Sequence, residues 1–169
     1  MRSFVAISLR PNDILESAIH QVGQSGKSVE GRNLHITLKF LGEVKEIEEI
    51  RKNLGNIRFG KFTVTLKGMG AFPTVQNGRV LFVKAIPEDV LKSLAREVDS
   101  MTEDIPLDHP FTPHITLLRA RYRRNFSDIV SRYENTKFLE QDVTSFALFE
   151  SILKPTGPIY NVIEEYQLM

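Results

Sequence analysis

Two stretches of the chain spell the same four residues: NLHITLKFLGE, with His35 and Thr37, and PFTPHITLLRA, with His114 and Thr116. Only four histidines occur in the 169 residues, and two of them fall in this repeat. An imidazole titrates near pH 6.5, so it can give or take a proton near neutrality. A threonine hydroxyl can donate to a non-bridging phosphate oxygen and stabilise charge building there. Two imidazoles and two hydroxyls converging on one ester are equipment for in-line attack at phosphorus. One imidazole deprotonates the nucleophile, and the other protonates the leaving oxygen on the far side. No metal and no cofactor are expected.

Side chains of a β-strand alternate faces with a period of two. His35 and Thr37 therefore share one face, with Ile36 and Leu38 on the other, and the same holds for His114 and Thr116 against Ile115 and Leu117. At about 3.3 Å rise per residue, imidazole and hydroxyl lie about 6–7 Å apart along the strand. One copy is what any half-exposed strand yields. Two copies at equivalent places are not, because strand patterning asks only for a polar residue.

The elements that must position these motifs repeat as well. Periodicity predicts a strand at about 2–9, a helix from about 11, a strand at about 33–41, a helix at about 45–57 and a strand at about 60–67. GMGAFPTVQNGR then reads as a Gly/Pro/Asn-rich connection ending in the turn signal Asn77-Gly78. Within it Gly68 and Gly70 are candidates for positive φ. The order restarts with a strand at about 79–86, a helix from about 88 and a strand at about 112–120. A short helix at about 126–134 and strands at about 137–150 and 158–167 finish the chain. Pro11 and Asp13 match Pro87 and Asp89 at an offset of 76, while His35 and His114 are 79 apart. Pro in a first helical turn beside Asp is good helix-start chemistry. The repeat implies an internal duplication: one domain over 1–169 made of two pseudo-symmetric lobes, about 1–75 and 76–169, with strand exchange between them allowed. Strands outnumber helices, which points to an α+β fold with mainly antiparallel sheets facing a central cleft and helices outside; a βαβ crossover arrangement is the competing geometry.

Composition narrows the function classes. The chain has no Cys, so disulfides, thiolate nucleophiles and Cys-ligated zinc are excluded. Twenty-two basic against 21 acidic residues give a net charge of +1. That balance argues against coating long nucleic acid by bulk electrostatics, but not against binding one phosphate or an RNA end. No run approaches the roughly 18 apolar residues of a membrane span. The N-terminus reads as a strand rather than a signal peptide, and the expected location is cytoplasmic.

NLHITLKFLGE, GMGAFP, PFTPHITLLRA and the tail SILKPTGPIY, taken in order, resemble the RNA 2′,3′-cyclic phosphodiesterases of the 2H phosphoesterase superfamily, formerly called 2′-5′ RNA ligases. The resemblance implies a bilobal α+β fold, hydrolysis of a 2′,3′-cyclic phosphate at an RNA end to a 2′-phosphate, and in several relatives the reverse 2′-5′ ligation. By motif, His35 resembles the proton donor and His114 the acceptor. Thr37 and Thr116 resemble the phosphate-binding hydroxyls, and Arg119 a phosphate-contacting arginine. Implied partners are RNA ends, tRNA fragments among them, with no membrane and a monomeric chain. An aromatic expected a few residues before the first motif is replaced by Val29.

The remaining candidates are peripheral. Strict alternation places Arg119 opposite His114 unless a bulge intervenes. Lys39, on the predicted His35 face, is a candidate phosphate contact. RARYRR places four Arg around Tyr122, suited to RNA phosphates and base stacking or else a solvated loop. His109 is the rival imidazole, with a structural role or none expected, and His20 is expected on a helix surface. No HExxH spacing supports zinc. Two alternatives stay open: a related enzyme for a small cyclic nucleotide such as ADP-ribose cyclic phosphate, and a non-catalytic RNA-end binding module.

Overall fold

Local sequence accounts for the helices. In the computed structural model, which describes residues 1–23, 27–28 and 34–169, helix α1 spans Asp13–Gly23 and α3 spans Glu88–Ser100. Helix α1 buries Leu15, Ala18, Ile19 and Val22; α3 buries Leu91, Leu94, Ala95 and Val98. Both sets follow the i, i+3, i+4, i+7 stripe of a one-faced helix, at the same offset as the two prolines. The prolines themselves lie outside the first turns. Asn12 caps α1, its Oδ1 accepting from the Leu15 N–H at 2.9 Å, and Pro87 is the N-cap residue of α3. Helices α2 (Ile47–Leu54) and α4 (Ser127–Arg132) are shorter.

The strands are β1 (Arg2–Ser8), β2 (Lys27–Ser28), β3 (His35–Glu43), β4 (Phe62–Pro73), β5 (Gly78–Ile86), β6 (His114–Arg124), β7 (Lys137–Val143), β8 (Ser145–Lys154) and β9 (Gly157–Gln167). They form two sheets in the orders β3-β1-β8-β9 and β2-β6-β5-β4-β7, and every pairing is antiparallel. The βαβ alternative is thereby corrected: each strand–helix–strand unit returns its second strand antiparallel beside the first. Central β1 lies between β3 and β8, as central β5 lies between β6 and β4. Strand β4, from the first half of the chain, joins the sheet of β5 and β6, while β8 and β9 join that of β1 and β3. Helix α1 packs on β6 and β7, and α3 on β3 and β5. One continuous apolar core, including Ile36, Leu38, Ile115 and Leu117, joins both sheets to both helices.

Two segment assignments need correction. GMGAFP is not a connection but the second half of β4, which runs to Pro73. Of its glycines only Gly68 has positive φ, at 77°. Gly70 is needed for space, since a Cβ there would lie 2.6 Å from the Phe82 ring. The predicted strand at 137–150 is two strands in different sheets, divided at Thr144.

Candidate active site

Strands β3 and β6 place the two motifs as alternation requires. Ile36, Leu38, Ile115 and Leu117 are buried, whereas His35, Thr37, His114 and Thr116 are partly exposed. Each imidazole stands on an aromatic floor. The His35 ring lies 5.0 Å from Phe4 and meets Tyr160 edge-on at 5.2 Å. The His114 ring lies 5.3 Å from both Phe72 and Phe82. Phe72 and Phe82 stack at 4.4 Å over bare Gly70, and Phe4 stacks on Phe149 at 5.1 Å. Rings backed this way have few rotamers left, so both imidazoles are pre-positioned rather than recruited. A pocket between the motifs is lined by Thr37 and Phe40 from β3, by Thr112 and His114, and by Leu107, His109 and Phe111 of the intervening loop.

The protonation state of His114 follows from its contacts. Its Nδ1 lies 2.5 Å from the Thr112 carbonyl oxygen, which can only accept, so Nδ1 carries the proton and Nε2 offers a lone pair. Burial pushes the pKa of His114 below 6.5; the Thr112 hydrogen bond opposes this, and the charges of Arg119 and His109 add to it. A base of this kind stays neutral at pH 7 and loses function only as pH falls through its lowered pKa. The acid limb of kcat/KM, which reports the free enzyme, is therefore expected below pH 6.5. A limb at or above that value would contradict a desolvated His114.

Arg119 reaches the same face through a bulge. In the β5–β6 ladder Leu81 opposes Leu118 but Phe82 opposes Thr116, leaving Leu117 extra. Leu117 and Leu118 are both buried, and the alternation resumes one step out of phase, with Arg119 exposed. Its charge is felt by His114 and by Tyr160, the residue against His35. The β1–β3 ladder has the matching bulge: Val5 opposes Lys39 and Ala6 opposes Thr37, leaving Leu38 extra.

That second bulge corrects the placement of Lys39. The residue borders the pocket but is 3% exposed, and its ammonium points into the protein. The ammonium donates to Asp99 Oδ1 at 2.6 Å, Thr102 Oγ1 at 2.9 Å, Thr102 O at 3.1 Å and Ile105 O at 2.6 Å. It fastens β3 to the end of α3 and has no donor to spare for a phosphate. Lys39→Met strands these acceptors at a cost of about 2–5 kcal/mol, expected as a Tm lowered by roughly 5–15 °C in a melting scan. A shift below about 2 °C would show that the network holds nothing.

Tyr122 is 75% exposed and lies in a wider bulge, where Arg79 alone of β5 faces residues 120–123 of β6. The structure thus puts Thr37 and His114 on one pocket and Thr116 on the same strand face as His114. Arg119 is near enough for its charge to act on His114 and on Tyr160, which packs against His35. Tyr122 and its arginines sit further along β6, and the Lys39 ammonium is tied up elsewhere. His109 lines the pocket, and His20 is exposed near the end of α1. Val29 falls outside the described residues. Sequence reasoning missed Tyr160 and the floors of Phe4, Phe72 and Phe82. The tail KPTGPIY held the one signal for Tyr160, an aromatic a few residues past a hairpin turn. Burial raises the Tyr160 pKa, so its hydroxyl stays protonated beside His35. Among the described residues no group of three or more His, Asp or Glu is placed to hold a metal ion, and no helix is long and apolar enough to cross a membrane.

Comparison with known proteins gives one consistent answer. Residues 13–153 match the model of the 2′-5′ RNA ligase superfamily. The chain is 36% identical to an RNA 2′,3′-cyclic phosphodiesterase of Archaeoglobus fulgidus, with 99% of this chain and all of that one covered. It is 35% identical to the enzyme of the same name from Aquifex aeolicus, covering 99% and 97%. Among solved structures, TT0787 of Thermus thermophilus aligns with a TM-score of 0.77 at 34% identity, covering 99% of this chain and 98% of that one. Escherichia coli LigT crystallised with 3′-AMP aligns at 0.76 and 29% identity, covering 99% and 97%.

Proposed function

The chain belongs to the 2′-5′ RNA ligase superfamily, and from that premise we propose that it hydrolyses 2′,3′-cyclic phosphate ends of RNA to 2′-phosphates by paired-histidine acid–base catalysis. The observation that carries this is the pair of imidazoles, each fixed on an aromatic floor and set beside a threonine on a cleft-facing strand. His114 Nε2 takes a proton from water as its oxygen attacks phosphorus. The P–O3′ bond breaks on the opposite side, and His35 delivers a proton to the departing 3′ oxygen. The phosphate stays on O2′. Thr37, Thr116 and Arg119 hold the non-bridging oxygens, where negative charge builds. With an RNA 5′-hydroxyl in place of water, the same step with the same roles forms a 2′-5′ linkage, and the imidazoles exchange roles only when that linkage is cleaved back to the cyclic phosphate.

Polymeric substrate is favoured over a small cyclic nucleotide by the β6 bulge, which offers Arg121, Tyr122 and Arg123 to solvent next to Arg119. Arginine interleaved with an exposed aromatic suits single-stranded nucleic acid. A binding module without turnover is disfavoured, because arginine or lysine serves anion binding better than two imidazoles. The test is incubation with a short RNA bearing a 2′,3′-cyclic end beside the matching mononucleotide. Release of a 2′-phosphate, faster on the oligonucleotide, is expected. A 3′-phosphate product, or tight binding with no turnover, would overturn the proposal.

A further inference from the structure

In a chain of nearly balanced charge, acid is missing from one place. Residues 62–87 and 109–127 hold none of the 21 Asp and Glu, yet they hold seven Lys and Arg. These stretches contain the whole of β4, β5 and β6, three adjacent strands of one sheet. Four of the seven follow the second motif on β6, which leads out of the cleft to the β4–β5 turn, where Arg124 opposes Gly78. Arg119, Arg121, Tyr122 and Arg123 are all exposed, and among the described residues no carboxylate pairs with these three arginines. The backbone that presents them is braced: Arg79 Nε donates to the Ala120 carbonyl at 3.4 Å across the wide bulge, and Arg124 lies over the Phe126 ring. Unpaired like charges set this close repel one another, so they serve a ligand better than the fold, and a row of phosphates relieves that repulsion.

We infer that β6 beyond Arg119 is the track for the body of the RNA: the nucleotides upstream of the cyclic end run outward along Arg121, Tyr122 and Arg123, phosphates on the arginines and one base on the tyrosine ring. The inference rests on the phosphodiesterase reading above and adds the direction, the length and the strandedness of the substrate. Tyr122 is eight residues past His114, about 20–26 Å at strand rise once the bulges shorten the path. That span suits roughly four nucleotides, the low end of single-strand site sizes. A base can lie on Tyr122 only when it is out of a duplex stack, so the end must be unpaired over that distance. Arginines and a π-face read no sequence, so the track tolerates any base.

The test is a length ratio: kcat/KM on a cyclic-ended pentanucleotide divided by kcat/KM on the cyclic mononucleotide. A variant that folds poorly lowers both alike and leaves the ratio unmoved. In the wild type the ratio should be about 5 or more from the stack alone, most of it in KM. Tyr122→Ala should cut it by that factor, and Tyr122→Phe should keep it. The slope of log kcat/KM against log salt should be steeper on the pentanucleotide by about 1.4, from two phosphates at about 0.7 each. Arg121→Gln and Arg123→Gln should each remove about 0.7 of that difference. Lys84 checks the direction, being exposed opposite His114 at the end of the ladder away from the β4–β5 turn. Lys84→Gln should keep the ratio. A hairpin RNA with its cyclic end fully paired should react no faster than the mononucleotide, and about five unpaired nucleotides should restore the pentanucleotide rate. A wild-type ratio near one, a ratio lost in Lys84→Gln but kept in the arginine variants, or full activity on the paired end would overturn the track while leaving the phosphodiesterase reading standing. A wild-type protein that hydrolyses neither the pentanucleotide nor the mononucleotide would overturn both.

Discussion

His114→Ala is expected to lower kcat/KM on a cyclic-ended RNA by about 10²–10⁴, the usual contribution of one positioned acid or base. His35→Ala should cost a similar factor. The double variant should lose much less than the product of the two, because general base and general acid act in one step and removing either disables it. Neither substitution should unfold the protein, since both imidazoles are only partly buried and sit at the cleft surface. The expected structural cost is under about 1 kcal/mol, in line with substitutions away from a core. Single-turnover rates together with melting curves check both halves of this expectation. Loss of activity that tracks loss of fold would remove the catalytic reading.

Arg119→Ala is the second large effect, about 10²–10³ in kcat/KM, the range for removing one donor aimed at developing charge. Arg119→Lys should recover only part, because a planar fork can hold two phosphate oxygens at once and an ammonium cannot. A second readout separates this role from mere packing. The Arg119 charge helps hold the His114 pKa down, although burial is the larger cause. Arg119→Ala should therefore move the acid limb of kcat/KM upward, toward 6.5 without reaching it. An unchanged rate on the cyclic end would show that the bulge turns Arg119 toward the cleft to no catalytic purpose.

The bulges that decide Arg119 and Lys39 mark the boundary of what one chain's letters reveal. The His-x-Thr faces and the two helix stripes were legible because each depends on periodicity within a single element. A bulge depends on two strands agreeing about where to lose register, which no single strand encodes. Lys39 was accordingly placed on the wrong face, and Arg119 needed an exception to reach the right one. The residues at the bulges, Leu38-Lys39 and Leu117-Leu118, carry no local signal that the alternation slips there. GMGAFP misled for a different reason. Its glycines are there to admit the Phe82 ring and one left-handed residue within a strand, not to turn the chain. The switch at Thr144 carries neither Gly nor Pro, so two strands of different sheets read as one. The aromatic floors were hidden because Phe4, Phe72, Phe82 and Tyr160 come from four strands, and only the sheet order gathers them.

The pH dependence of kcat/KM, measured for the wild type and for each histidine variant on one cyclic-ended RNA, bears most directly on the paired imidazoles. The wild type should give a bell. His114→Ala should retain the alkaline limb and lose the acid one, and His35→Ala should do the reverse. A wild-type profile flat between pH 5 and 9, or a His114→Ala variant with both limbs intact, would mean that some other group moves the protons (range set about the histidine pKa).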